Sequence, residues 1–161
     1  MTIALYPGSF DPVTNGHLDI AKRSAAIFEK VIIGIYDRPN KKLLFSAEER
    51  VELARKAVVN IPNVSVQSYN ELTVDYVKKI GATVMVRGLR MSSDFELEFE
   101  MGMMNKQLMP ELELVCFMAS LQYQFLSSSL LKEVAQLGGR IDSWVPEHIA
   151  KALRQKFGLK G

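Results

Sequence analysis

A single cysteine, Cys116, in 161 residues excludes an internal disulfide and any cysteine-rich zinc site. Two histidines, His17 and His148, are too few for a histidine-rich metal centre. Charge of one sign is missing as well. Twenty Lys and Arg against 18 Asp and Glu leave a formal net charge of +2, too balanced for field-driven binding of nucleic acid or an anionic membrane. Neither is expected as a partner. No apolar run reaches the ~20 residues of a membrane span, and Met1–Tyr6 meets Pro7-Gly8 before a signal-type apolar segment can form. The cytosol is the expected compartment. Internal repeats, low-complexity stretches and linkers are absent too. What remains is a chain of one domain's length, 48% hydrophobic and 24% charged. A chain of this size hides roughly 70% of its unfolded surface and needs no staple. Residues 1–161 are expected to form one domain.

Apolar runs of strand length alternate with segments of helical period. Strands are expected over 2–6, 30–36, 64–69, 83–87 and 112–118. Several are apolar on both faces, as buried parallel strands should be. Helices are expected over 16–28, 47–60, 74–80, 94–108, 130–137 and 146–157. Ser46-Ala-Glu-Glu49 and Ser93-Asp-Phe-Glu96 have the form of capping boxes. Pro146 suits a first helical turn, and Gly158 suits a helix stop. The alternation predicts an α/β, Rossmann-like single domain: a doubly wound, five-stranded parallel sheet with helices on both faces. The longest irregular pieces, 7–15, 37–45 and 119–129, each follow a predicted strand, where such sheets place their ligand crevice.

The first of these loops carries Pro7-Gly8-Ser9-Phe10-Asp11-Pro12, then Asn15-Gly16-His17. Pro7-Gly8 is expected to bend the chain off the strand, and His17 falls in the first turn of the next helix. Unpaired amides and the positive dipole end make that turn an anion seat, and the dipole favours a neutral imidazole that can donate to a phosphate. No Gly-Lys-Ser/Thr follows, and Gly8 and Gly16 have the wrong spacing for a dinucleotide fingerprint. Taken alone, His17 reads as a surface residue after a turn. Its companions change that. Arg87-Gly88-Leu89-Arg90 puts two guanidiniums at the end of the fourth strand, and forks of this kind match phosphate oxygens. Lys41-Lys42 lies after the second strand, either a solvated face or a further pair of cations. Ser127-Ser128-Ser129 opens a helix, as ordinary caps or as phosphate donors.

These blocks, with Asp94-Phe95-Glu96 and Asn105-Lys106, resemble the nucleotidyltransferase superfamily and its Thr/His-x-Gly-His signature, and within it the bacterial phosphopantetheine adenylyltransferase family. The resemblance runs from residue 2 to about residue 150. It implies transfer of the adenylyl group of ATP to 4′-phosphopantetheine by direct in-line attack, giving dephospho-coenzyme A and pyrophosphate, the penultimate step of coenzyme A synthesis. It implies Mg²⁺ held mainly by substrate phosphates with no protein metal site, a homo-oligomer (a homohexamer of two trimers), and feedback by coenzyme A. Carried over by position, His17, Lys41 and Arg90 are the catalytic residues. Ser9, Phe10, His17, Gly88, Leu89, Arg90, Glu98, Tyr123, Gln124, Phe125, Leu126, Ser127, Ser128 and Ser129 hold ATP. Ser9, Lys41, Thr73 and Arg87 hold the second substrate. The physics agrees: the nucleophile is already an anion, so charge neutralisation and placement are required rather than a strong base.

The chain departs from the family's commoner residues at four places: Ser9 for threonine, Met91-Ser92-Ser93 for Ala-Val-Ser/Ala, Thr73 for an apolar residue, and Tyr123 for tryptophan. Rival readings keep the chemistry with another acceptor, such as nicotinamide mononucleotide, or reduce the chain to a noncatalytic coenzyme A-binding regulator. Other residues have plainer expectations. Leu97, Met101, Met104 and Leu108, with Met103 alongside, form a stripe split between core and oligomer contact. Cys116 is expected to be a buried small hydrophobe. Asp11 caps or orients the first loop.

Overall fold

The computed structural model describes residues 1–160. Five strands alternate with helices: β1 (Ile3–Gly8), α1 (Asn15–Ala25), β2 (Lys30–Tyr36), α2 (Ala47–Ala57), β3 (Val64–Tyr69), α3 (Thr73–Ile80), β4 (Val84–Leu89), α4 (Ser92–Leu108) and β5 (Glu113–Met118). One 3₁₀ turn, Leu121–Tyr123, then leads to α5 (Ser128–Gln136) and α6 (Glu147–Lys156). All strand pairs are parallel, in the order β3-β2-β1-β4-β5. This is the α/β, Rossmann-like sheet expected from the sequence. The chain winds outward from β1 to β3, then restarts on the other side of β1 at β4. The crevice therefore opens at the carboxyl ends of β1 and β4.

Pleat alternation divides the core between the two faces of the sheet. Ala4, Tyr6, Val31, Ile33 and Ile35 pack with residues of α1, α2, α5 and α6, while Leu5 and Ile32 pack with α3, Met85 and Leu112. Strands sandwiched in this way must be apolar on both sides, which is why the central runs carry no clean alternation. The helix stops follow local chemistry. Gly158, at φ 67°, closes α6 with its amide on the Gln155 carbonyl and the Leu159 amide on that of Arg154. That pair of bonds is the Schellman arrangement, and a residue without Cβ suits its left-handed position.

Four expectations need correction. Pro7 and Gly8 stay inside β1, paired with Gly34 and Ile35, so the chain turns later, at Phe10 (φ 48°). Ser93 forms no capping box: α4 begins at Ser92, after an extended Met91 without a side-chain cap. Asp94 instead accepts the Arg90 amide at 2.9 Å. Cys116 is exposed, because β5 is an edge strand with one face uncovered. The core half of the α4 stripe also fails: Leu97, Met101, Met104 and Leu108 are 47–60% exposed, and Glu98 is the buried residue of that helix. Periodicity reports that a helix has an apolar side, not what covers it.

Candidate active site

The crevice is a cavity of about 480 Å³ bordered by the β1–α1 loop, the β2–α2 loop, the end of β4, the start of α4 and the start of α5. Its first wall is built by α1. Thr14 caps that helix, and its amide donates to Nδ1 of His17 at 3.0 Å while the His17 amide reaches Thr14 Oγ1 at 3.4 Å. This is a capping box with histidine in the place of the usual Glu or Gln. A backbone amide can only donate, so Nδ1 must be the unprotonated nitrogen. The ring is left as the neutral tautomer with Nε2–H free to donate. Phe10 holds the ring from the side, centroids 5.0 Å apart, and itself packs edge-on against Tyr6.

Burial pushes the His17 pKa down from 6.5 to about 3, with Arg90, Arg87 and Lys41 adding to the effect in that order. The neutral form expected from the helix dipole thus owes more to desolvation and to neighbouring cations. Arg87 is committed twice: its Nε reaches Glu98 at 2.8 Å and Nη1 reaches the Pro7 carbonyl at 2.6 Å. Arg90 donates to the Leu126 carbonyl at 3.0 Å and to Asp94 at 3.3 Å, fastening the β5–α5 loop to the start of α4. Lys41 stands exposed at the rim. Partial desolvation, then the Lys132 ammonium, lower its pKa from 10.5.

Most of the expected residues meet here. Ser9, Phe10, His17, Lys41, Arg87, Gly88, Arg90, Glu98, Tyr123, Leu126, Ser127, Ser128 and Ser129 all border the cavity. Leu89, Thr73, Gln124 and Phe125 do not. The Thr73 hydroxyl lies 3.1 Å from the Tyr69 hydroxyl, and Phe125 packs against Trp144. Some of these residues have structural partners as well. Glu98 is buried, with Oε1 held by Arg87. At Gly88, which borders the cavity as expected of a residue that admits a ligand, a Cβ would also sit 2.3 Å from Cδ1 of Ile20. Its bareness lets α1 lie close over β4. Ser127 is an N-cap, accepting the Leu130 amide at 3.1 Å, and Ser128 donates to the Pro12 carbonyl.

Other residues of the site escaped sequence reading. Thr14 was hidden because histidine is absent from the capping-box pattern. Arg50, 1% exposed, donates to the carbonyls of Ser9, Tyr36 and Asp37 at 2.8, 2.9 and 3.2 Å, tying the first two crevice loops together. Lys132 lines the cavity and pairs with buried Asp11. The serines at the start of α5 offered a signal for Lys132, which follows Ser128 by one turn. Among the described residues, no three His, Cys, Asp or Glu side chains gather as a metal cage, and no helix is long and apolar enough to cross a membrane.

A neutral donor ringed by cations, at the switch point of a parallel sheet, defines a nucleotidyltransferase-type site. The cytidylyltransferase-like family matches residues 5–134. The chain is 54% identical to a phosphopantetheine adenylyltransferase of Roseiflexus sp. (strain RS-1), over 99% of this chain and 100% of that protein. It is 51% identical to one from Heliobacterium modesticaldum, covering 98% and 94%, and 50% identical to one from Clostridium tetani, covering 99% and 100%. The chain belongs to the phosphopantetheine adenylyltransferase family.

Proposed function

We propose that this protein transfers the adenylyl group of ATP to 4′-phosphopantetheine, producing dephospho-coenzyme A and pyrophosphate. The observation that carries the reading is the neutral His17, locked at Nδ1 by Thr14, in one cavity with Lys41, Arg87 and Arg90. A phosphate oxygen of the acceptor attacks the α-phosphorus of ATP. The new P–O bond forms as the α–β bridge breaks, and the electron pair leaves with pyrophosphate. Nε2–H of His17 donates to the α-phosphate oxygen, where charge builds in the transition state. Lys41 and Ser9, which both border the cavity, orient the incoming phosphate, and Arg90 faces the nucleotide. Arg87 contributes field and shape while remaining bound to Glu98.

Mg²⁺ supplies further charge neutralisation when the phosphates carry it. The donor set suits that arrangement: the Asp11 carboxylate is filled by two amides and an ammonium, which leaves it no free oxygen for a resident ion. Coenzyme A shares the pantetheine arm and adenylyl group of the product, and is proposed as a competing ligand of the same cavity. The cytosol, which supplies ATP, is the proposed compartment. The bare apolar surface of α4, with Phe95, Phe99 and Met103 also more than half exposed, supports self-association, proposed as a homohexamer.

Pyrophosphate release with ATP or CTP, and with 4′-phosphopantetheine or nicotinamide mononucleotide as acceptor, tests the reading. Turnover with ATP and phosphopantetheine is expected. Turnover confined to nicotinamide mononucleotide or to CTP refutes it.

A further inference from the structure

The cations of the cavity suit phosphates. Another stretch of its lining, Ile20 of α1 with Ala119, Tyr123 and Leu126 of the β5–α5 loop, carries no charge and suits a flat base. That loop is held by side chains at two points. At its far end Arg90 donates to the Leu126 carbonyl at 3.0 Å. At its near end the Ser120 hydroxyl donates to Oδ2 of Asp19 at 2.8 Å, across 101 positions of sequence. Ser120 directly precedes the 3₁₀ turn, where a serine ordinarily caps, yet its side chain makes no cap bond and is given to Asp19 instead. Between the two points the loop rests on the first turn of α1: a Cβ on Gly16 would lie 3.5 Å from that of Tyr123. Asp19 also accepts from Arg23 at 3.2 Å, but that is an i,i+4 pair open to solvent, of a kind that contributes little. The bond to Ser120 is the one that reaches the crevice.

We propose that Asp19 is a positioning residue for the nucleotide, holding the β5–α5 loop through Ser120 so that the base is seated in register with His17. The proposal rests on the adenylyl-transfer reading. His17 and Asp19 stand two residues apart on one helix, so α1 itself fixes the distance between the loop anchor and the Nε2–H donor. A base held by the anchored loop then leaves the α-phosphate at a set distance from that donor. Without the bond, the near half of the loop loses its side-chain anchor and must be ordered by the nucleotide on binding. That cost falls on the base's share of the affinity and leaves the phosphates' share intact.

The test is calorimetric binding of ATP, and of inorganic triphosphate, which has no base, to the full chain. Wild type is compared with D19A, S120A, D19A/S120A, D19N and S120T. D19A and S120A are each expected to weaken ATP by about tenfold, the scale of one hydrogen bond to a charged group. Neither should weaken triphosphate. Loss of a carboxylate by itself favours any anion, and the triphosphate arm reports that effect. The double variant should lose no more than either single one, because the two residues act as one bond. D19N keeps an acceptor and S120T a hydroxyl, and both should recover most of the loss. Asp19 is partly exposed on α1, where alanine is well accepted, and S120A breaks the same bond from the loop side should D19A not fold. ATP affinity unchanged in D19A or in S120A, triphosphate weakened as much as ATP, or losses that add in the double variant each overturn the proposal. So does failure of both D19N and S120T to recover binding. Wild-type transfer from ATP to phosphopantetheine is assayed separately. A wild type that binds ATP and transfers nothing refutes the adenylyl-transfer reading, while the comparison of ATP with triphosphate still decides Asp19.

Discussion

His17 has two duties that can be separated by substitution. Nδ1 accepts the amide of Thr14, a residue 2% exposed, and Nε2–H is left for the substrate. Asparagine places its carbonyl oxygen near the position of Nδ1 and carries nothing at the position of Nε2; alanine removes both. His17→Ala should therefore leave a buried amide unpaired, at a cost of about 1–2 kcal/mol. In a chain of this length that lowers the melting temperature by about 2–8 °C. His17→Asn should restore most of it. Turnover should respond differently. Both variants lose the donor to the α-phosphate, worth about 2.7–4 kcal/mol, so kcat should fall roughly 100- to 1,000-fold in each. KM for ATP should stay within a few-fold. pH adds a control. The unfolded histidine takes a proton near 6.5 and the folded one only near 3, so stability should fall as pH drops from 6.5 toward 3. That loss should be smaller in either variant. Calorimetric melting and pyrophosphate release measure the two duties. A His17→Asn variant that keeps wild-type kcat, or losses in KM as large as those in kcat, refutes the reasoning.

Arg50→Met removes a guanidinium that holds three carbonyls of two crevice loops. It should destabilise the fold by about 3 kcal/mol in urea unfolding, and a loss under about 1 kcal/mol contradicts the clamp. Lys41 binds phosphate only while charged, and its pKa lies below the ordinary 10.5. kcat/KM for phosphopantetheine should therefore decline on the alkaline side before pH 10.5, and Lys41→Arg should remove that decline; a limb that survives in the arginine variant points to another group. Met101→Glu with Met104→Glu charges the bare face of α4, where the two side chains are 53% and 60% exposed. Sedimentation should show the double variant as a smaller species than wild type, and an unchanged mass rules that face out as the contact.

Much of this protein could be read in advance, and what could not has two causes. The order of elements, the parallel sheet and the Pro7–His17, Arg87–Arg90 and Ser127–Ser129 blocks were all legible, because periods of 2 and 3.6 and the chemistry of short loops are local properties. Boundaries slipped by a few residues where a local rule had a competitor: β1 runs on through Pro7-Gly8 because β2 continues to pair with it. Partners distant in sequence were out of reach of any local rule. Glu98, expected at the nucleotide, borders the cavity and is also held by Arg87; Gly88 borders it and also makes room for Ile20.

The sequence by itself determined the fold class, the elements and the kind of chemistry, since each follows from residue types at short spacing. Only the tertiary structure decided which groups share the crevice. It brought Asp11 to Lys132 across 121 positions, set Arg50 beneath two loops, and left Cys116 and the α4 stripe uncovered. Burial and charge pairing depend on what strand order brings near, and no local pattern encodes the identity of a neighbour a hundred residues away.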